Sequence, residues 1–262
     1  MLTKDQMQKA SAMLIKCNKE RTLIDALPEE LRPRTRAEGY AIQEFVMRET
    51  AHPLLGWKIA ATSLGGQKHV MVDEPFAGRI LREIVLPSGG SVPLNNSNMS
   101  CAEFEFGFRL GQDLPPRAAP YSMAEVMDHV AALFPAIESP DCRYTDFTAV
   151  GGPQLIADNA CGYYFVFGDD VKVDWRQYDL ATHPVHATRN GRDQFQGCGA
   201  NVLDDPRNCL LWLANELSGL GITLKAGQAV STGTCIPPVD VKPGDTVEGD
   251  FGDFGKISAK FV

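Results

Sequence analysis

The sequence predicts an α+β fold in which a helical N-terminal layer, residues 1–52, and a β-rich body, residues 53–262, form one structural unit. In the first part, apolar residues recur at helical spacing after two capping motifs. After Pro53 the chain changes to short apolar runs separated by glycine and proline, which is typical of strands joined by turns. The clearest strand is the stretch from Cys101 to Leu110, where apolar and polar side chains alternate.

Each helix of the N-terminal layer is predicted from its first residues. Thr3 and Gln6 match a capping box, and the apolar residues that follow recur at helical spacing to about Glu20. Thr35 and Glu38 repeat the motif after a linker that contains proline. The chain therefore predicts two consecutive helices before the first strand.

The body carries further strand and helix signals. Strands are predicted at residues 57–61, 78–81, 84–86, 155–167, 230–234, 239–241, 246–248 and 257–261. Asp205 followed by Pro206 predicts the start of a helix that ends near Gly219. The glycines at 252 and 255 predict a hairpin turn between the last two strands.

The region after Ser122 determines where a third acidic residue lies. Apolar side chains recur at helical spacing from Met123 to Phe134, so we expect a helix that ends at Pro135. A short strand containing Glu138 should follow. A strand, a crossover helix and a second strand would place Glu138 beside the acidic residues of the central strand.

The central strand has two different faces. Its apolar face fixes the register, so Glu103 and Glu105 must both point to the opposite side. Such a pair is ordinarily the solvated face of a half-buried strand. However, glutamate is depleted in strands, and like charges on one face repel each other. A counter-charge is therefore expected between them, either Arg109 or a metal ion.

Composition limits the classes of partner. With 262 residues, 44% hydrophobic residues and a net charge of −8, the chain is an ordinary acidic globular protein. The acidic balance argues against nucleic acid and anionic membranes as partners. No apolar run approaches a membrane span and the N-terminus lacks a signal-peptide pattern, so we expect a cytoplasmic protein. The seven cysteines show no C-x-x-C pair and are interpreted as small buried hydrophobes.

Motif searches leave carboxylate chemistry as the best-supported option. Phosphate-loop, dinucleotide, zinc-protease and nucleophilic-serine motifs are all absent. Three glutamates without histidine or cysteine at ligand spacing favour a hard divalent cation, Mg²⁺ or Mn²⁺, over zinc. The three are Glu103, Glu105 and Glu138.

Several short motifs occur in order along nearly the whole chain. They are Gly56-Trp57-Lys58-Ile59, Val72-Asp73-Glu74-Pro75, Glu103-x-Glu105, Pro135-Ala136-Ile137-Glu138, Ile156-Ala157-Asp158-Asn159-Ala160, Asp205-Pro206-x-Asn208 and Thr232-Gly233. Each motif is weak alone. Together they resemble the group of 2-oxopent-4-enoate (2-hydroxypentadienoate) hydratases and 4-oxalocrotonate decarboxylases in the fumarylacetoacetate hydrolase superfamily.

The resemblance implies a mixed β-roll with a helical N-terminal layer, a divalent metal and homo-oligomeric assembly. It also implies that Glu103, Glu105 and Glu138 bind the metal. Lys58 and Asp73 match residues that transfer protons. The expected substrate-binding residues are Asp158, Asn159, Cys161 and Thr232. Cys161 stands where the family often has serine, so a thiol replaces a hydroxyl in the expected pocket.

The activity implied is that of a metal-dependent hydratase acting on a small 2-oxo acid. Water would add to a 2-hydroxy-2,4-dienoate to give a 4-hydroxy-2-oxo acid, in the breakdown of aromatic or related compounds. The same stabilised enolate would serve a 4-oxalocrotonate-type decarboxylase or a hydrolase of β-diketo acids. A non-catalytic binding or scaffold protein is the alternative from a different class.

Four of these residues also have a purely structural interpretation. Lys58 would be a lysine that extends its charge to the surface. Asp73 would be a turn residue, and Asp158 and Asn159 would organise a loop.

Three further polar residues have both interpretations. Arg109 and Arg143 could bind a distal substrate carboxylate, but structural ion pairs are the simpler expectation. His69, which lies near Asp73 in the sequence, is expected to be a solvated loop histidine.

Overall fold

Helices precede the first strand, and strands make up most of the regular secondary structure after it. The computed structural model describes all 262 residues. The helices are α1 (Lys4–Glu20), α2 (Arg36–Gln43), α3 (Leu64–His69), α4 (Met123–Asp128), α5 (Gly152–Ala157) and α6 (Pro206–Gly219). The strands are β1 (Gly56–Ala60), β2 (Phe76–Ile80), β3 (Val85–Pro87), β4 (Gly90–Val92), β5 (Cys101–Leu110), β6 (Val130–Ser139), β7 (Tyr164–Phe167), β8 (Pro184–Arg189), β9 (Asp193–Cys198), β10 (Ala229–Thr234), β11 (Val239–Asp240), β12 (Thr246–Asp250) and β13 (Lys256–Phe261).

The N-terminal helices begin at the predicted caps. The Thr3 hydroxyl accepts a hydrogen bond from the Gln6 amide, and the Gln6 side chain accepts one from the Thr3 amide. Thr35 likewise accepts from the Glu38 amide. α1 ends at Arg21, which has a left-handed backbone conformation. α1 packs on α2, and α2 packs on α5, so the helical layer rests on the body through α5.

Two sheets form the body. The larger has the order β2-β1-β10-β5-β6-β7-β3, with β11 beside β5, and the smaller has the order β4-β13-β12-β8-β9. Parallel pairs occur in both sheets, β1 with β10 and β13 with β4 among them, whereas β5 and β6 are antiparallel. The predicted α+β class with mixed sheets is confirmed.

The apolar face of β5 packs toward the smaller sheet, as its alternation predicts. The Phe106 ring meets the Phe251 ring at 5.4 Å in an edge-to-face contact. Phe104 lies against Gly249 of β12, and Phe108 lies beside Trp175. The burial of these rings fixes the strand register, so the acidic face of β5 points away from the core between the sheets.

The predicted helix from Met123 to Phe134 is wrong over its second half. α4 stops at Asp128, and Val130 already begins the ten-residue strand β6. β6 is central in its sheet and buried on both faces, so its apolar side chains show no alternation. A continuous apolar run of this kind also fits helical spacing, which explains the error.

The predicted strand over residues 155–167 is also wrong in its first part. α5 extends to Ala157, and three consecutive residues, Asn159, Ala160 and Cys161, then have φ between 53° and 58°. We call residues 159–161 the left-handed turn. Only residues 164–167 form the strand β7. The local polar sequence Asp158-Asn159 favours such a turn over a strand.

The C-terminal elements follow their sequence signals. Asp205 caps α6, with Pro206 at the first helical position. The glycines at 252 and 255 lie in the turn between β12 and β13, both with positive φ. None of the helices combines the length and the apolar character that crossing a membrane requires.

Candidate active site

Antiparallel pairing of β5 with β6 brings the predicted glutamates together. Glu103 lies directly opposite Glu138 in the ladder, and Glu105 is one side-chain repeat further along β5. One carboxylate oxygen from each of the three lies within 4.8 Å of the others. The expected neighbourhood of Glu138 is therefore confirmed. A direct antiparallel pair of β5 and β6 produces it, with only the short helix α4 between the two strands.

Glu105 is held by β10 on its other side. The Ser231 hydroxyl donates to its Oε2, and so does the Gly233 amide at 2.9 Å. Gly233 has φ +96°, and a Cβ at this position would lie 2.0 Å from the Thr62 Oγ1. Glycine is thus required both by the backbone conformation and by the close approach of Thr62. These contacts use Oε2 and leave Oε1 of Glu105 available.

Lys58 is buried next to this acidic cluster. Its ammonium nitrogen lies 3.1 Å from Glu138 Oε1 and donates to the Ala160 carbonyl at 2.9 Å. Its side chain is only 4% exposed, so the interpretation of Lys58 as a surface lysine is wrong. Burial lowers the pKa of Lys58, but Glu138, Glu103 and Glu105 outweigh that effect and raise it. Lys58 is therefore a buried ammonium.

Burial and mutual repulsion disfavour the ionised forms of the clustered glutamates. Burial raises the pKa of Glu103 to about 7, the Glu105 carboxylate adds to the shift, and Lys58 opposes it. Burial also raises the pKa of Glu138 well above its usual range, again against the effect of Lys58. One ammonium cannot compensate three clustered carboxylates. Further positive charge would stabilise the ionised cluster.

Unpaired oxygens give an independent test of whether a cation fits. Glu105 Oε1 and both carboxylate oxygens of Glu138 are buried without a hydrogen-bond partner, apart from the ionic contact with Lys58. Buried carboxylate oxygens are rarely left in this state. Their number, their proximity and the all-oxygen donor set fit a hard divalent cation.

A cavity of about 530 Å³ opens onto Glu103 and Lys58. Its polar end carries these two residues, and much of the remaining wall is apolar. The apolar wall includes Ile59, Val70, Phe76, Met99, Phe147 and Leu155. Cys161 and Ala160 contribute one side through the left-handed turn. Glu105 and Glu138 do not line the cavity, so a small organic acid could place its polar end at Glu103 and Lys58 and its chain along this wall.

The left-handed turn is fixed to β2. The Asn159 side chain accepts from the Arg79 amide at 2.7 Å and donates to the Arg79 carbonyl at 2.8 Å. A Cβ on Gly78 would lie 2.3 Å from the Asn159 carbonyl oxygen, so glycine permits this close approach. Asn159 thereby positions Ala160 and Cys161 instead of lining the cavity itself.

Not every predicted site residue reaches the cavity. Cys161 lines it, whereas Asp158, Asn159 and Thr232 do not. Asp158 pairs with Arg143, with 2.5 Å between Oδ1 and Nε, and the Thr232 hydroxyl donates to the Phe106 carbonyl. Because these polar groups already have partners inside the protein, the geometry does not support the expectation that they contact substrate.

Asp73 lies outside the cavity lining as well. It is exposed on the segment between α3 and β2, three residues after Val70, which is part of the wall. Lys58 therefore lies at the acidic cluster, whereas Asp73 is exposed to solvent.

The remaining basic residues follow their structural interpretation. Arg109 pairs with Asp170, and Arg143 pairs with Asp158. Neither lines the cavity. His69 is exposed at the end of α3 yet contributes to the cavity wall, with its ring 5.7 Å from that of Phe147. The prediction of a solvent-exposed histidine is confirmed, but His69 lies at the end of a helix and not in a loop.

Sequence reasoning missed Ser231. The motif Thr232-Gly233 indicates the correct strand, but the Thr232 hydroxyl contacts the Phe106 carbonyl, and it is the neighbouring Ser231 that contacts Glu105. Alternation alone cannot decide between adjacent residues when β10 has small polar side chains on both sides. The irregular pairing between Ser231 and Thr234 shifts the register further.

The model of the fumarylacetoacetate hydrolase C-terminal family matches residues 35–262. The chain belongs to this family. Among curated relatives, it is 31% identical to 2-keto-4-pentenoate hydratase of Paraburkholderia xenovorans, covering 86% of this chain and 83% of the relative. It is 30% identical to 2-oxo-hept-4-ene-1,7-dioate hydratase of Escherichia coli, covering 95% of each.

Solved structures of family members agree with the fold. The 4-oxalocrotonate decarboxylase from Pseudomonas putida G7, complexed with magnesium and adipate, matches with a TM-score of 0.90 at 25% identity. The match covers 100% of this chain and 99% of that one. A second structure of that enzyme, complexed with calcium and acetate, matches with a TM-score of 0.88. The recognition of the family from ordered short motifs is confirmed.

Proposed function

We propose that the protein is a metal-dependent hydro-lyase that adds water to a 2-hydroxy-2,4-dienoate, through its 2-oxo-4-enoate form, to give a 4-hydroxy-2-oxo acid. The observation that carries this proposal is the cluster of three glutamates beside a buried ammonium, in which Glu105 and Glu138 have unpaired buried oxygens. Relatives at 30–31% identity over most of the chain bear hydratase names, which supports the reaction class.

Glu103, Glu105 and Glu138 would hold a divalent cation, Mg²⁺ or Mn²⁺. When bound, such a cation supplies Lewis acidity toward the oxygens of a 2-oxo acid. Magnesium and calcium in the structures of the Pseudomonas putida decarboxylase are consistent with this class of ion.

Lys58 would be the positively charged hydrogen-bond donor of the site. The Ala160 carbonyl and Glu138 fix its ammonium at the polar end of the cavity. From there it can donate a hydrogen bond to the 2-oxygen of the substrate and carry a proton between enol and keto forms. We propose that Asp73, exposed beyond Val70, exchanges this proton with solvent.

The cavity favours a substrate with an uncharged tail. No arginine lines it, and the positively ionisable groups on its wall are Lys58 at the polar end and His69 at the exposed margin. Asp240 adds a further acidic group to the wall. Since the wall offers few cations to a second substrate carboxylate, a 2-oxo-4-enoate with one carboxylate fits better than a dioate.

A decarboxylase of the 4-oxalocrotonate type is the second candidate. It is favoured by the match over the full chain to the decarboxylase structure, with a TM-score of 0.90. Both reactions pass through the same enolate, and they differ in whether water is added or carbon dioxide leaves.

The deciding experiment is incubation of the protein and Mg²⁺ with 2-hydroxypenta-2,4-dienoate and, separately, with 2-oxohex-3-enedioate in ¹⁸O-labelled water. NMR and mass spectrometry would follow the products. Label in a stable C4 hydroxyl is expected from the first compound. Carbon dioxide release without that hydroxyl would instead establish the decarboxylase. Lack of turnover together with lack of Mg²⁺ binding would support a scaffold protein.

A further inference from the structure

Two cysteines lie side by side, one in the cavity wall and one behind it. Cys142, which follows β6, and Cys161, in the left-handed turn, place their sulfur atoms within 4.8 Å of each other. The adjacent backbone is joined as well, because the Asp141 amide donates to the Cys161 carbonyl at 2.8 Å. The two thiols are therefore held together by the fold, although they are far from a C-x-x-C spacing in sequence.

Access to the two thiols differs. Cys161 lines the cavity and is 8% exposed, whereas Cys142 is fully buried. The Cys142 thiol donates to Asp158 Oδ2 at 3.2 Å. An oxidant that enters the cavity thus meets Cys161 first, and Cys142 lies behind it.

A metal ion is a poor occupant for this pair. Asp158 completes a set of three potential ligands with the two sulfurs. However, Arg143 Nε lies 2.5 Å from Asp158 Oδ1, and the Arg143 side chain is buried. A cation here would be next to a buried guanidinium that already neutralises the carboxylate. The geometry therefore favours a disulfide between the two thiols over metal binding.

We propose that Cys142 and Cys161 form a redox-active dithiol that a peroxide converts to a disulfide. Hydrogen peroxide would first oxidise the Cys161 thiol to a sulfenic acid and be reduced to one molecule of water. The Cys142 sulfur would then attack this sulfur, and the hydroxyl leaves as a second molecule of water with the Cys142 proton. Two thiols and one peroxide thus give one disulfide and two waters.

The disulfide would change the catalytic cavity. Cys161 directly follows Ala160, whose carbonyl accepts the hydrogen bond from Lys58. Drawing the Cys161 sulfur toward Cys142 to bonding distance would withdraw it from the cavity wall and shift the strained turn. Turnover is therefore expected to fall on oxidation and to return on reduction. This second half of the proposal rests on the proposed function.

The experiment treats the full-length protein with hydrogen peroxide, blocks free thiols, and maps peptides without reduction. Magnesium-dependent turnover is measured before oxidation, after it, and after dithiothreitol. A cross-linked peptide pair containing Cys142 and Cys161 is expected, with a loss of turnover that dithiothreitol restores. Cys142→Ser, which keeps the hydrogen bond to Asp158, should lose the cross-link and the reversible inactivation while keeping the basal rate.

Cys17→Ser is the matched control, because Cys17 is also buried but lies in α1. This variant should be oxidised and inactivated like the unmodified protein. Absence of the cross-linked pair after peroxide would overturn the proposal. Equal reversible inactivation of Cys142→Ser would overturn it as well. If the reduced protein has no turnover, the proposed function fails, whereas the peptide map still decides whether the dithiol forms.

Discussion

Two groups of buried acidic side chains flank the left-handed turn, and they differ in how their oxygens are satisfied. Asp158 accepts hydrogen bonds from the Arg143 guanidinium and amide and from the Cys142 thiol. Glu138 is at least as deeply buried, yet the ionic contact of Oε1 with Lys58 is the only one that its carboxylate oxygens make with a polar group. The charge of Asp158 is neutralised by Arg143, whereas the three glutamates share a single lysine.

This difference separates a structural ion pair from the proposed metal site. Burial raises the pKa of both Asp158 and Glu138, so a shifted pKa does not distinguish them. Unpaired oxygens do distinguish them, because a fold rarely leaves several buried acceptors open unless another group fills them. The comparison therefore predicts that changes in the two groups will have different consequences, for activity in one case and for stability in the other.

The largest effect is expected from Glu105→Gln. The amide is nearly isosteric but removes a negative charge from the cluster, so metal-dependent turnover should be lost. Thermal unfolding without metal should stay unchanged or shift upward, because a buried charge is removed. Glu248→Gln, on the exposed part of β12, is the control and should keep full activity. Normal turnover by Glu105→Gln would contradict the site assignment.

Lys58→Met tests the one positively charged residue of the glutamate cluster. Since we propose that Lys58 transfers protons, its loss should lower kcat by about 10²–10⁴-fold, while calorimetry with Mg²⁺ should still detect metal binding. Lys68→Met is matched to it, since Lys68 is exposed on α3 and does not line the cavity. A rate for Lys58→Met within a few-fold of the parent would show that Lys58 only balances charge.

Asp158→Asn tests the buried ion pair of Asp158 with Arg143. It leaves Arg143 buried without its carboxylate, so the free energy of unfolding should fall by about 3–5 kcal/mol. Urea denaturation at constant pH measures this change. Asp193→Asn breaks the exposed pair with Arg189 and should cost no more than about 1 kcal/mol. Equal small losses in both variants would remove the distinction between a buried pair and a surface pair.

The smallest effect concerns pH. Because the pKa of Glu103 is raised to about 7, this carboxyl carries a proton below that pH, and a cation must displace it. Affinity for Mg²⁺ should therefore weaken as pH falls below 7, by about tenfold per unit if one proton is displaced. Calorimetric titrations at about pH 6 and pH 8, in buffers of different ionisation enthalpy, measure both the affinity and the protons released. Equal affinity at both values would contradict a protonated Glu103.

Local patterns predicted the N-terminal caps, the start of α6 and the faces of β5. Glu138 was predicted in the right place through a helix that is only half as long as expected, because β6 is buried on both faces and lacks alternation. Thr232 was chosen where Ser231 makes the contact. The boundary at residue 52, homo-oligomeric assembly and a cytoplasmic location stay predictions.

By itself, the sequence determined that Glu103 and Glu105 share the face of β5 opposite the phenylalanines, because side-chain direction along a strand is a local property. Only the tertiary structure decided which partners this face would meet. Ser231 contacts Glu105 across 126 residues of sequence, and Lys58 becomes a buried ammonium through the pairing of β1 with β10. Such contacts depend on strand order and register between distant segments, which no local pattern encodes.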